Sequence, residues 1–132
     1  MKQLIAISRH ISFEVIEAYA HVTNDRNPLH LDPVYAANTP MGGIIAHGML
    51  PMNLLWQMLV RSFGPESVKD TQLEVRFTRP VRVDDTVTAG GAPTAHTDPD
   101  RLCFNVWVRN QHDKPVIEGT LTIGARYARQ ED

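Results

Sequence analysis

The second half of the chain alternates between apolar and polar positions. Leu73, Val75 and Phe77 interleave with Glu74, Arg76 and Thr78. Leu102, Phe104, Val106 and Val108 interleave with Cys103, Asn105, Trp107 and Arg109. Ile117, Leu121 and Ile123 interleave with Glu118, Thr120 and Thr122, with Gly119 interrupting. A period of two puts successive side chains on opposite faces, so these runs predict antiparallel strands with one covered face. Residues 85–96 read as a more irregular strand with a bend at Gly90-Gly91. The first half reads differently. Residues 2–8 predict a short first strand. Ser12 is placed to cap a helix with Glu14 in its first turn, and Val15, Tyr19 and Val22 fall at i, i+4 and i+7 as one apolar stripe. Asp32-Pro33 reads as a cap followed by proline at the first helical position, predicting a short helix over 33–38. Residues 48–62 are apolar on nearly every side, from Met49 and Leu50 to Leu59 and Val60, and predict a buried helix. Pro51 is tolerated there because it falls in the first turn.

One wholly apolar helix followed by several long strands predicts an α+β fold. The sheet would wrap around the helix, as in the hot-dog architecture. No linker, repeat or low-complexity segment interrupts the chain, so residues 1–132 are expected to form a single domain. Composition narrows the classes further. With 13 Lys+Arg against 15 Asp+Glu the formal charge is −2, which supplies no basic footprint for nucleic acid or an anionic membrane. The apolar stretch Leu4-Ile5-Ala6-Ile7 is too short for a signal core, and no run approaches the roughly 20 residues that span a bilayer. The expected setting is cytoplasmic. Cys103 is the single cysteine, which excludes an internal disulfide and a cysteine-based zinc site. As a strand thiol without a nearby histidine it is expected to be buried and inert.

Two segments carry candidate chemistry. In Asp25-Arg26-Asn27-Pro28-Leu29-His30, five positions separate the acid from the imidazole. Neither a regular helix nor a strand would bring them together, but a turn at Asn27-Pro28 can. Converged, they could hold a water and shuttle protons. A helix-exit loop in which Asp25 caps backbone and His30 is a partly buried bystander fits the same spacing. In Ile45-Ala46-His47-Gly48-Met49-Leu50, glycine stands at the entry to the apolar helix. First-turn N–H groups are unpaired there, the dipole favours negative charge, and a glycine lets a substrate oxygen approach the backbone. Such a site can bind an oxyanion. The competing reading makes Gly48 a turn glycine and His47 a solvent-contacting or capping residue.

Taken together, Asp25 to Asp32, Tyr35-Ala36, Gly42-Gly43, Ile45 to Leu50, Val75 to Val81 and Asp85-Thr86-Val87 resemble the MaoC-like dehydratases, the (R)-specific enoyl-CoA hydratases. The resemblance covers roughly residues 12–90. It implies a hot-dog domain that dimerises, with active sites at or near the subunit interface. It also implies reversible hydration of trans-2-enoyl thioesters to (R)-3-hydroxyacyl thioesters. No cofactor or metal is implied; coenzyme A or acyl carrier protein enters as part of the substrate. By position, Asp25 and His30 match the catalytic pair and Gly48 the oxyanion donor. Asn27 and His47 match motif positions and are expected to support the loops. Asn24 replaces the family's usual glycine, and Met41 stands where an aromatic residue is frequent, which bears on the acyl pocket.

Two rival functions have a sequence signature. A non-catalytic subunit that binds acyl thioesters or completes a heterodimer would not need both Asp25 and His30. A hot-dog thioesterase would need a carboxylate, often on the central helix, and residues 49–60 contain no Asp or Glu. Asp32 reads as a cap, and beside His30 and Asp32 no third metal ligand stands out. Arg76, Arg79 and Arg82 read as a solvated strand face in preference to a phosphate site.

Overall fold

The alternating runs form antiparallel strands in the computed structural model, which describes residues 2–95 and 98–129. In chain order they are β1 (Ile7–Ile11), β2 (Thr71–Phe77), β3 (Asp85–Thr94), β4 (Arg101–Arg109) and β5 (Pro115–Gly124). Across the sheet the order is β1-β3-β4-β5-β2, with every neighbouring pair antiparallel. The helices are α1 (Phe13–Thr23), α2 (Pro28–Leu31), α3 (Pro33–Ala37) and α4 (Met49–Phe63), and the sheet packs around α4 as an α+β hot-dog fold. No described helix is long and apolar enough to cross a membrane.

The sheet can close on its helix because glycines alternate with valines across it. Gly91, Val106, Gly119 and Val75 form one transverse row through β3, β4, β5 and β2. A Cβ on Gly91 would lie 2.6 Å from the Leu4 side chain and 2.8 Å from the Asn105 carbonyl oxygen. One on Gly119 would collide with the Glu74 carbonyl. Only glycine permits these approaches. The β3–β4 ladder therefore runs through Gly90-Gly91 in register, where a bend was expected. His96, the end of the expected strand, lies outside the described residues.

From α4, Leu54, Leu55, Met58, Leu59 and Phe63 enter the core against Val87, Phe104, Val106, Val108, Ile117, Leu121 and Ile123. Each such side chain, fully buried, contributes about 1.5–3 kcal/mol. The expectation of a helix buried on all sides needs correction. Met49 is 48% exposed and Val60 37% exposed. Val60, with Leu50, Asn53, Trp56 and Gln57, borders a groove of about 820 Å³ shared with α1 and β1. The sheet curls round one side of α4, and nothing among the described residues covers the other completely.

Two other expectations shift. The first strand is Ile7–Ile11, not residues 2–8, because the ladder partner in β3 is Asp85–Ala89. The residues before it leave the ladder: the Leu4 side chain lies over Gly91 of β3, and the Ile5 N–H donates to Ser62 Oγ at 2.8 Å. In α1, Ser12 Oγ accepts from the Val15 N–H at 3.2 Å as the cap pattern predicted. The buried positions are however Ile16 and Ala20, whereas Val22 is 82% exposed. The inward face runs one residue ahead of the expected stripe, and the last turn projects past the core. Cys103 is half-buried on β4, not buried.

Candidate active site

Asn24 ends α1 in the left-handed conformation, φ 57° and ψ 26°, the role its tolerance of that region allows. The chain then turns through Asp25 and starts α2, a single helical turn that periodicity could not reveal. Asn27 is its cap, with Oδ1 accepting from the Leu29 N–H at 3.0 Å and Pro28 at the first position. Asn-Pro here follows the same rule as Asp32-Pro33, where Asp32 Oδ1 accepts from Val34 N–H at 3.0 Å and Tyr35 N–H at 3.1 Å to open α3. The expected turn at Asn27-Pro28 is thus the start of a helix, and its signal in the sequence is the cap followed by proline. Asp25 Oδ1 accepts weakly from the Asn27 N–H at 3.4 Å, so the acid does serve the loop's backbone.

α2 carries His30 toward the entry of α4. Its Nδ1 lies 2.7 Å from the Ile45 carbonyl oxygen. A carbonyl only accepts, so Nδ1 bears the hydrogen and in the neutral imidazole Nε2 keeps the lone pair. By the same logic His47 donates from Nε2 to the Asp25 carbonyl oxygen at 2.9 Å. Its Nδ1 is bare, buried and without a partner among the described residues. The two imidazoles stack, with centroids 3.9 Å apart and planes 30° apart. His47 is only 3% exposed, so it does not contact solvent as one sequence reading had it.

Asp25, His30 and His47 each bring a donor atom within 4.8 Å of the others. His47, 17 positions from His30 in the chain, is thus the third member of the cluster, and Asp32 is occupied with capping. One carboxylate and two imidazoles suit a divalent transition metal in type. One nitrogen of each ring is already committed to a backbone carbonyl, which leaves His30 Nε2 and His47 Nδ1 beside the Asp25 carboxylate for a metal or for proton chemistry.

Gly48 caps α4 with φ −55° and ψ −37°. Gly48 is exposed as a residue and its N–H has no hydrogen-bond partner among the described residues, while two positions on the Leu50 N–H donates to His47 O at 3.0 Å. The segment before it is pinned from both sides, Ala46 N–H to Val81 O at 2.7 Å and Ile45 N–H to Leu29 O at 3.4 Å. Gly48 and His30 share the wall of a pocket of about 310 Å³, together with Met41, Ala46, Pro51, Phe77 and Arg79. Asp25 is exposed and stands outside that wall. Larger hollows exist, such as the groove along α4, but their walls hold no acid–imidazole pair. Of the arginines, Arg76 pairs with Glu118 at 3.0 Å, while Arg79 reaches the pocket and the Pro115 carbonyl. The arrangement offers an acceptor nitrogen, a carboxylate and a free N–H at a helix start, which together can hold a polarised carbonyl and a water.

Residues 1–114 match the family described as the MaoC like domain. The chain belongs to that family. Among curated relatives of this MaoC-like chain, it is 32% identical over 122 residues to an (R)-specific enoyl-CoA hydratase of Rhodospirillum rubrum, covering 92% of this chain and 84% of that protein. It is 39% identical over 82 residues to a 3-hydroxybutyryl-CoA dehydratase of Methylorubrum extorquens, covering 61% of this chain and about half (52%) of that dehydratase. The structure of an (R)-hydratase from A. caviae involved in PHA biosynthesis superposes with a TM-score of 0.80 at 28% identity, covering 94% of this chain and 93% of that one. The chain is therefore a MaoC-like hydratase/dehydratase by family.

Proposed function

We propose that this protein reversibly hydrates trans-2-enoyl thioesters, with coenzyme A as the carrier, to (R)-3-hydroxyacyl thioesters. The observation that carries the reading is the placement of His30 and the free Gly48 N–H on one pocket wall, with Asp25 beside the imidazole. In this mechanism the thioester carbonyl accepts from the Gly48 N–H. That bond strengthens as the oxygen gains enolate charge, which is the differential binding catalysis requires. Asp25 and His30 hold one water. The bare His30 Nε2 takes a proton as the water oxygen bonds to C3, and the C2–C3 π electrons move onto the thioester as an enolate. Protonation of C2 from the same pair, on the same face, completes the addition without net loss of a proton. Asn27 and His47 support the two loops that bear these groups. The absence of Asp and Glu from α4 speaks against a thioesterase that uses a helix carboxylate.

We further propose that the active form is a homodimer of single hot-dog domains. β2 lies at one edge of the sheet, and Phe77 at its end is 55% exposed. An unpaired edge next to an exposed aromatic is suited to pairing with a second copy. The enzymatic reading is tested by incubating purified protein with a panel of trans-2-enoyl-CoA chains, following loss of the conjugated enoyl absorbance and the chirality of the product. Turnover giving the (R) alcohol is expected. No turnover with any chain length, or an (S) product, overturns it.

A further inference from the structure

The donor–acceptor pattern leaves one imidazole with no proton-transfer task. His47 spends its N–H on the Asp25 carbonyl, and its other nitrogen has no hydrogen-bond partner among the described residues. Yet this residue is buried, and its ring reaches both the His30 ring and the Asp25 backbone. Its face lies on His30 at 3.9 Å, and Tyr19 of α1 meets it edge-on at 5.0 Å with planes 62° apart. Its own carbonyl begins α4, one residue before Gly48. We propose that His47 is a positioning residue that sets the plane of the His30 ring and ties it to the Asp25 turn.

The need for such a residue follows from the bonding of His30. Its Nδ1–H to Ile45 O fixes one ring atom. Rotation about the last side-chain torsion of a histidine is broad, so one hydrogen bond leaves the ring free to swing and Nε2 free to move. A face-to-face stack on a buried ring removes that freedom. The Nε2–H of His47 does the same for the other partner by holding the backbone of Asp25. Base and acid then share one support. The expected consequence is catalytic, because a misplacement of about 1 Å at reacting groups can cost about 10²-fold in rate. Substrate binding, carried by the pocket wall and the Gly48 N–H, is left nearly as it was. The inference rests on the hydration reading above.

Two substitutions separate the two contacts. His47→Phe keeps the flat face under His30 and loses the donor to Asp25. His47→Gln places an amide N–H near the same carbonyl and loses the face. In steady-state hydration of a short trans-2-enoyl-CoA, each is expected to lower kcat by roughly 10- to 100-fold with KM changed less than about threefold. A second readout needs no turnover. The ring protons of His30 should lose their ring-current shift in His47→Gln and retain it in His47→Phe. Folded variants whose kcat stays within about twofold of the parent, while His30→Ala is inactive, overturn the positioning role. An unchanged His30 resonance in His47→Gln overturns the stack as its means. If His30→Ala itself turns over normally, the hydration mechanism fails, and the resonance test still decides the stack. A variant that only melts earlier while its folded fraction works normally also counts against the proposal.

Discussion

Gly48 faces the ring of Phe77, so that a Cβ there would stand 3.3 Å from the phenyl Cε1. The contact is tight but yielding, since Phe77 is exposed and its ring can swing. The backbone of Gly48 is ordinary right-handed helix, which any residue adopts. Glycine is therefore not demanded by folding at this position, whereas access to its N–H is a demand of chemistry.

Gly48→Val should consequently damage kcat/KM far more than stability. Valine keeps the N–H but blocks approach to it, and losing the use of one such donor typically costs about 10²–10³ in rate. Thermal unfolding and enoyl-CoA kinetics on the same preparation check this. A large drop in melting temperature with near-normal turnover by the folded fraction would make Gly48 structural.

Asp25→Asn and His30→Ala should each lower kcat by about 10²-fold or more with the fold intact, as positioned acid–base groups do. Circular dichroism and stopped-time assays on each variant provide the check. Near-native turnover in either would leave that residue a bystander on the helix-exit loop.

Asp32 offers the contrast. Its carboxylate is engaged by the Val34 and Tyr35 N–H groups. Asp32→Ala should cost about 1 kcal/mol of stability, the ordinary loss of a helix cap. Hydration kinetics should hardly change. A fall in kcat comparable to that of Asp25→Asn would instead place Asp32 in the chemistry.

Gly119→Ala tests the curvature of the sheet. The new methyl would meet the Glu74 carbonyl, which is backbone and cannot move aside without parting β2 from β5. A loss of more than about 4 kcal/mol is expected, large for one methyl group and traceable to backbone displacement. A variant melting within a few degrees of the parent would show that β2 accommodates it.

Sedimentation at micromolar concentration should give twice the 14.8 kDa of one chain. A lone 14.8 kDa species would contradict the homodimer, and dimerisation only with a different chain would favour a heterodimeric assembly.

The strands and α4 were legible in the sequence because their signals are local. Alternation at Leu73-Val75-Phe77 or Phe104-Val106-Val108 depends only on which neighbours face the same way. Caps at Ser12 and Asp32 are equally local, each satisfied within three residues. α2 escaped because one turn has no period, and Val22 was misplaced because a stripe does not say where the core ends. Likewise, the motif residues Asp25, His30 and Gly48 could be named from the chain, but their convergence could not. It depends on Ile45 O meeting His30 and on Asp25 O meeting His47, contacts spanning 15 and 22 positions. The same holds for His47, a polar residue beside a helix start in the sequence and a buried ring between two others in space. Such partnerships arise when separate segments are packed on α4 and curled under the sheet, and no spacing along a chain encodes the distance between surfaces that only packing brings together.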